Sequence, residues 1–122
     1  MQEENEELLE YLREALGGSL RAVGRYDKEG YDPIYLREDV VEAYDSQDIE
    51  EIHHEMVLKG LGNQHLETLF KGDDLDCSIY QFEDKVRLHF VRGDYRGLYV
   101  SFDWDGSVNP SKIVERCKSI IS

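Results

Sequence analysis

Two adjacent histidines, His53 and His54, are the side chains of this sequence that most readily suggest metal chemistry. Neighbouring residues on a helix point about 100° apart, so this pair cannot share an ion as histidines spaced i and i+4 do. Glu50 and His54 do have that spacing, and a metal site built from His54 with Glu50 or Glu51 is the alternative. We expect these residues instead to form the solvated side of an amphipathic helix, and we predict no metal site.

The other groups of reactive residues lack the spacing that their chemistry requires. Asp73, Asp74 and Asp76 are not followed by the central glycine and closing glutamate of a calcium loop, so a solvated acidic loop is expected. Residues 93–97 contain two glycines, but no helix comes after them to bind a phosphate, and they are typical of a hairpin turn. No Gly-x-Ser-x-Gly elbow precedes a helix. We therefore predict a non-enzymatic protein with no cofactor; a hydrolase without a recognisable motif is the alternative.

The two cysteines, Cys77 and Cys117, are spaced unlike any zinc or redox motif. We expect Cys77 in a strand and Cys117 on the apolar side of the last helix. The pattern favours two buried thiols, with a disulfide between them as the alternative.

The charge of the chain is unusual, since 27 acidic residues against 14 basic residues give a formal net charge of −13. Such a charge repels itself, but at molar salt the Debye length falls to roughly 3 Å and the repulsion largely disappears. The acids are dispersed, and the basic residues include only six lysines. This composition is typical of a halophile, with an ordinary acidic protein as the alternative. It also disfavours binding to nucleic acid or to an anionic membrane.

Length and hydropathy bound the organisation of the chain. Its 122 residues fit one domain, residues 1–122. No apolar run approaches the roughly 20 residues of a membrane span. The segment Met1-Gln2-Glu3-Glu4 is acidic, unlike the basic start of a signal peptide. A cytoplasmic protein without a membrane segment is therefore expected.

Apolar periodicity predicts three main helices. The first covers residues 3–16, the second begins near Ser46, and the third begins at Asn109-Pro110, a typical cap followed by a first-turn proline. Gly60 and Gly62 are expected to interrupt the central helix, leaving a short helical turn at 65–70.

Alternating apolar residues joined by short turns predict an antiparallel sheet. The predicted strands cover residues 19–27, 34–36, 75–82, 85–91 and 96–104. The expected fold is therefore α+β, a five-stranded antiparallel sheet with the order α-β-β-α-β-β-β-α and helices packed on the sheet.

One face of this sheet is predicted to be rich in basic and aromatic side chains. The residues concerned are Arg21, Arg25, Tyr80, Arg87, His89 and Tyr99. Basic strands with stacking aromatic residues hold single-stranded nucleic acid in several folds. Pairing with helix carboxylates or with a second subunit, and a protein or peptide surface, are the other interpretations.

The element order resembles that of the roadblock/LC7 fold and, more loosely, of profilin-like and longin domains. Residues 34–39 and 96–101, Ile-Tyr-Leu-Arg-Glu-Asp and Arg-Gly-Leu-Tyr-Val-Ser, also resemble small acidic proteins of haloarchaea with no assigned activity. The roadblock resemblance implies a non-enzymatic scaffold or regulator of small GTPases that dimerises through its central helix and an edge strand. On this basis the dimer surface is expected at Ile49, Ile52, Met56, Cys77 and Ile79.

The sequence thus predicts a non-catalytic regulatory or adaptor protein, a homodimer whose partner is a small GTPase or another signalling protein. The alternative is a ligand- or nucleic-acid-binding domain that uses the Arg/Tyr sheet face.

Overall fold

Four helices and five strands make up residues 2–121, the part of the chain that the computed structural model describes. In chain order they are α1 (Gln2–Leu16), β1 (Leu20–Asp27), β2 (Gly30–Leu36), α2 (Glu38–Ala43), α3 (Ser46–Leu69), β3 (Ser78–Gln81), β4 (Lys85–Gly93), β5 (Arg96–Asp103) and α4 (Pro110–Ile121). A short 3₁₀ turn, Gly17–Ser19, joins α1 to β1.

The strands form one sheet in the order β2-β1-β5-β4-β3, and every neighbouring pair is antiparallel. The predicted α+β class, the five-stranded antiparallel sheet and the element order are confirmed. The short helix α2 lies between β2 and α3, where Val40, Val41 and Tyr44 indicate a short helical turn.

One face of the sheet packs against α1 and α4 and forms the hydrophobic core. Alternate residues of β4 and β5 point into it, as period-2 patterning requires. Its buried members are Leu8, Leu12, Leu20, Val23, Val86, Leu88, Phe90, Leu98, Val100, Phe102, Ile113, Val114, Cys117 and Ile121. The alternation of β4 and β5 and the apolar side of the last helix are thus as expected from the sequence.

The first strand departs from simple alternation. Its pairing with β5 shifts register between Leu20 and Ala22. A bulge of this kind places two successive residues opposite one and reverses the side to which the later residues of the strand point. Leu20 and Val23 therefore share the core face, whereas Ala22 faces the α2–α3 side.

Helix α3 is continuous over 24 residues, so the predicted interruption at Gly60 and Gly62 is wrong. Asp45 caps it: its side chain accepts a hydrogen bond from the Asp48 amide, while the Asp48 carboxylate accepts one from the Asp45 amide. Gly60 is buried against the sheet, where an added Cβ would lie 3.2 Å from the Tyr26 hydroxyl. The glycine thus lets helix and sheet approach closely instead of ending the helix.

Candidate functional site

The predicted Arg/Tyr face is the side of the sheet that α2 and α3 cover. His89 is fully buried and Arg21 is 8% exposed, while Tyr80, Arg87 and Tyr99 are half-buried. An open platform for stacking bases is therefore absent from the described residues, because α2 and α3 cover this face. The apolar residues Ile49 and Ile52 of α3 supply part of the cover.

Arg25 does not belong to this face. Its guanidinium donates hydrogen bonds to Asn5 and Glu4 on α1, on the opposite side of the sheet. The bulge in β1 is the physical reason, because strict alternation from Arg21 would have placed both arginines on one side.

Arg21 belongs to a network of two arginines and two aspartates at one end of this face. Arg37 holds Asp39 with two hydrogen bonds of 2.6 and 2.9 Å and Asp103 with one of 2.7 Å. Arg21 lies farther from the same carboxylates, at 3.9 Å from Asp39 and 3.6 Å from Asp103. Hydrogen bonding from Arg37 lowers the pKa of Asp39 to about 2. Arg21 therefore contacts a carboxylate of α2, as one interpretation of the basic face expected.

A buried histidine–tyrosine pair connects α3 to the sheet. The His89 Nε2 atom lies 2.6 Å from the Tyr26 hydroxyl, which is 3.4 Å from the carbonyl oxygen of Met56 in α3. Burial lowers the pKa of His89 to about 4, because the imidazolium would lose its hydration there. His89 is therefore neutral at physiological pH, and its hydrogen bond holds the tyrosine under Gly60.

We expect the pair to make stability depend on pH. The imidazole of an unfolded histidine has a pKa near 6.5. Between pH 6.5 and about 4, this imidazole is therefore protonated in the unfolded chain and neutral in the folded chain. The contribution of His89 is therefore complete above pH 6.5 and is lost as pH falls towards 4. The free energy of unfolding should fall by about 3 kcal/mol at most over this pH range. Urea unfolding of the wild type and of His89→Gln across pH 4–7 measures it, and the variant should show the flatter curve.

The matched control for this prediction is His54→Gln, which removes an exposed imidazole from the solvent side of α3. Its stability curve should run parallel to that of the wild type. A wild-type curve as flat as that of His89→Gln would contradict the proposed role of the buried imidazole.

Of the residues predicted for the dimer surface, some are packed within the chain and others are exposed. Ile49, Ile52 and Met56 are half-buried, and the two isoleucines face the sheet. Cys77 is half-buried just before β3, not within a strand. Ile79, on β3, is exposed over 43% of its surface. Ile79 thus lies on an accessible surface, whereas the inner side of α3 is already used within the chain.

The two cysteines are free thiols in the described residues. Burial raises the pKa of both Cys77 and Cys117 to about 12. Both therefore remain protonated and poorly nucleophilic at neutral pH, and the expectation of thiols instead of a disulfide is met.

In its carboxyl-terminal half, α3 also exposes apolar side chains on its outer side, a surface that the sequence pattern did not predict. Leu58, Leu66 and Leu69 are 50%, 40% and 57% exposed, and Phe70, just after the helix, is 63% exposed. Leu58, Gly62, His65 and Leu69 follow the i, i+4, i+7, i+11 spacing of one stripe. The spacing of Leu58 and Leu69 is visible in the sequence, but the stripe of Ile49, Ile52 and Met56 by itself already predicts an amphipathic helix.

Beside this stripe lies the edge of the sheet. β3 is the last strand of the order, so its outer backbone edge is unpaired. Ile79 pairs with the core residue Leu88 and points to the α1–α4 side, whereas Phe82, one residue beyond β3, is 50% exposed and stacks on Arg87 of the α3 side. The Asn63 amide donates a 2.8 Å hydrogen bond to the Ser78 hydroxyl and so holds the carboxyl-terminal half of α3 against β3. We call the combined area of Leu58, Leu66, Leu69, Phe70 and Phe82, together with the open backbone edge of β3, the α3–β3 surface.

The histidines of α3 do not assemble a metal centre in the described part of the chain. His53 forms a hydrogen bond to the carbonyl oxygen of Asp27, and His54 is exposed. Within residues 2–121, no group of three or more side chains of the metal-binding types comes together.

Fold and surface together define a small α+β protein whose sheet is covered by helices on both faces and whose α3–β3 surface is apolar. By sequence, the chain belongs to the family described as domain of unknown function (DUF7522), whose model matches residues 6–122. No curated protein matches it. None of the helices in the described residues has the length and apolar character to cross a membrane.

Proposed function

We propose that the protein is a non-catalytic regulatory or adaptor module that works as a homodimer through the α3–β3 surface. The observation that carries the proposal is that the carboxyl-terminal half of α3 packs on the sheet with one side and exposes apolar residues on the other. A helix of this kind is stable in water when both sides are covered. The sheet covers one side, and we assign the other side to a second copy of the chain.

Charge favours a second copy as the occupant of this surface. Residues 46–55, the first part of α3, contain four acids and no lysine or arginine. Residues 56–72 contain two lysines and one glutamate, a net charge of +1 in a chain of −13. Two such chains repel each other over most of their surfaces. The carboxyl-terminal half of α3 lets two copies meet with little repulsion and with a gain from apolar burial, whereas the acids of residues 73–76 and 83–84 flank the β3 part of the surface.

A two-fold axis near Asn63 and Gln64 would pair the helices antiparallel. Leu58 then faces Leu69 of the second copy, and Gly62 faces its His65, so that each contact occurs twice, as in an isologous dimer. Gly62 lets the helices approach closely. The exposed edges of the two β3 strands lie beside the helix pair and can add to the interface by edge-to-edge pairing.

The element order and the composition support the proposed fold relationship, partner class and cellular environment. The order α-β-β-α-β-β-β-α supports a roadblock-like relationship, and with it a small GTPase or another signalling protein as the partner of the dimer. The charge of −13 supports a cytoplasmic protein of a haloarchaeon. In this arrangement the acidic surfaces, which lie outside the dimer contact, keep the dimer soluble.

The oligomeric state tests the proposal. Light scattering coupled to size exclusion, at tens of micromolar protein in molar KCl, should give twice the chain mass of 14.2 kDa. High salt screens the repulsion and strengthens apolar contacts, so the dimer should dissociate as salt is lowered. A monomer in molar salt at this concentration would overturn the proposal.

A further inference from the structure

A small cavity lies between the sheet and the α2–α3 cover, on the face that the sequence marked as basic. Its volume is about 40 Å³. Its polar lining consists of Arg21, Tyr31, Tyr44, Arg87, Tyr99 and Ser101. Apolar residues of α2, α3 and β2 complete the wall. Most of the exposed wall is apolar, but two cations and four hydroxyl-bearing side chains border the space, and no carboxylate of the described residues lines it.

The first cation, Arg21, is incompletely paired. Its side chain is 90% buried, and its Nε atom has no hydrogen-bond partner among the described residues. The two carboxylates near it are held more closely by Arg37. A buried guanidinium N–H without an acceptor costs free energy, so an acceptor in the cavity would be favoured.

The second cation, Arg87, has no carboxylate within 4.0 Å in the described part of the chain. Its guanidinium stacks 4.4 Å above the Phe82 ring. Arg21 and Arg37 are balanced by Asp39 and Asp103, so Arg87 leaves the cavity with an excess positive charge. In a chain of −13 this is a local reversal of sign.

The tyrosine hydroxyls around the cavity are hydrogen-bond donors. Burial raises the pKa of Tyr31 to about 12. Burial also raises the pKa of Tyr99, although the neighbouring Arg87 opposes the shift. Both groups keep their protons at neutral pH and can donate to an acceptor in the cavity.

We infer that this cavity is a binding site for one small monovalent anion, a halide, held between Arg21 and Arg87 and by the surrounding hydroxyls. The size of the cavity supports a single ion, since about 40 Å³ is more than one water needs. It is far below the roughly 300 Å³ of pockets that take larger ligands such as nucleotides. The halide satisfies the Nε donor of Arg21, neutralises Arg87 and ties the helical cover to the sheet.

Chloride-35 NMR tests the site in solution. Bound chloride exchanging with bulk broadens the resonance, and the excess width should saturate with chloride and fall when bromide competes. Arg87→Met should weaken binding about tenfold or more, because a charge-assisted hydrogen bond is lost. Arg116→Met, on the exposed side of α4, changes the net charge equally and should leave the width unchanged. Equal broadening in wild type and Arg87→Met would overturn the inference.

A second measurement covers the case in which Arg87→Met does not fold. Crystals of the wild-type protein grown in bromide should show an anomalous peak within the cavity, between Arg21 and Arg87. Water alone at that position would overturn the inference. Tyr99→Phe, which removes one hydroxyl and keeps the ring, should fold and bind the halide more weakly than wild type does.

Discussion

Leu58→Glu combined with Leu69→Glu should convert the proposed dimer to a monomer, with the dissociation constant raised by at least about 100-fold. Each interface contact occurs twice, so the double variant places two pairs of like charges into an apolar contact. Burying unpaired charges costs several kcal/mol, more than the roughly 2.7 kcal/mol that a 100-fold change represents. Sedimentation equilibrium in molar KCl measures the constant. The unfolding free energy of the monomer should change little, since both leucines are half exposed.

A charge reversal tests the geometry of this interface. Leu58→Glu with Leu69→Lys would place opposite charges face to face if the helices pair antiparallel, and association should recover substantially relative to the double glutamate variant. The matched control is Val41→Glu on α2, where the side chain is 54% exposed but lies outside the α3–β3 surface. Loss of association in Val41→Glu, or equal loss in both double variants, would contradict the proposed pairing.

Gly97→Ala should destabilise the fold by about 3 kcal/mol and lower Tm by roughly 10 °C. Gly97 pairs with Tyr26 and Val91 in the middle of the sheet. A Cβ there would lie 2.5 Å from the carbonyl oxygen of Phe90 and 2.6 Å from the Tyr26 hydroxyl. The carbonyl belongs to the backbone of β4, so it cannot move away without disturbing the β4–β5 ladder. Thermal unfolding monitored by circular dichroism measures the change.

Two further variants separate the causes of this expected loss. Gly30→Ala adds a Cβ that meets nothing within 4 Å, so Tm should shift by no more than a few degrees. Tyr26→Phe combined with Gly97→Ala removes the hydroxyl contact and leaves the contacts with the ring Cε1 atom and with the β4 backbone. Relative to Tyr26→Phe alone, most of the loss should persist. Full recovery in the double variant would mean that the tyrosine, not the β4 backbone, sets the limit.

The sequence predicted those parts of the molecule in which local pattern and burial agree. Val86, Leu88 and Phe90 alternate with polar neighbours, and that period predicts both the strand and its buried side. The last helix is similar, since Ile113 and Cys117 lie on one stripe that meets the core. The α+β class and the element order came from such segments, together with the short turns that force antiparallel pairing.

Predictions from local sequence patterns were wrong where tertiary contacts outweighed the local preference. Gly60 is a helix breaker by propensity, but the Tyr26 hydroxyl occupies the room a side chain would need, and packing outweighs a cost of about 1 kcal/mol. Arg25 lies on the other face of the sheet because β1 contains a bulge between Leu20 and Ala22. The residue types of that segment do not predict the bulge.

By itself the sequence determined the class of fold, the order of its elements, the core of the α1–α4 side and the excess of negative charge, because these depend on residue types at fixed spacing. Tertiary structure decided which surfaces remain accessible. It placed α3 over the basic face, which buried His89 and enclosed the cavity beside Arg21 and Arg87. It also left the outer side of α3 uncovered beside the edge of β3. Both outcomes depend on which element covers which, a non-local choice that periodicity along one chain segment does not encode.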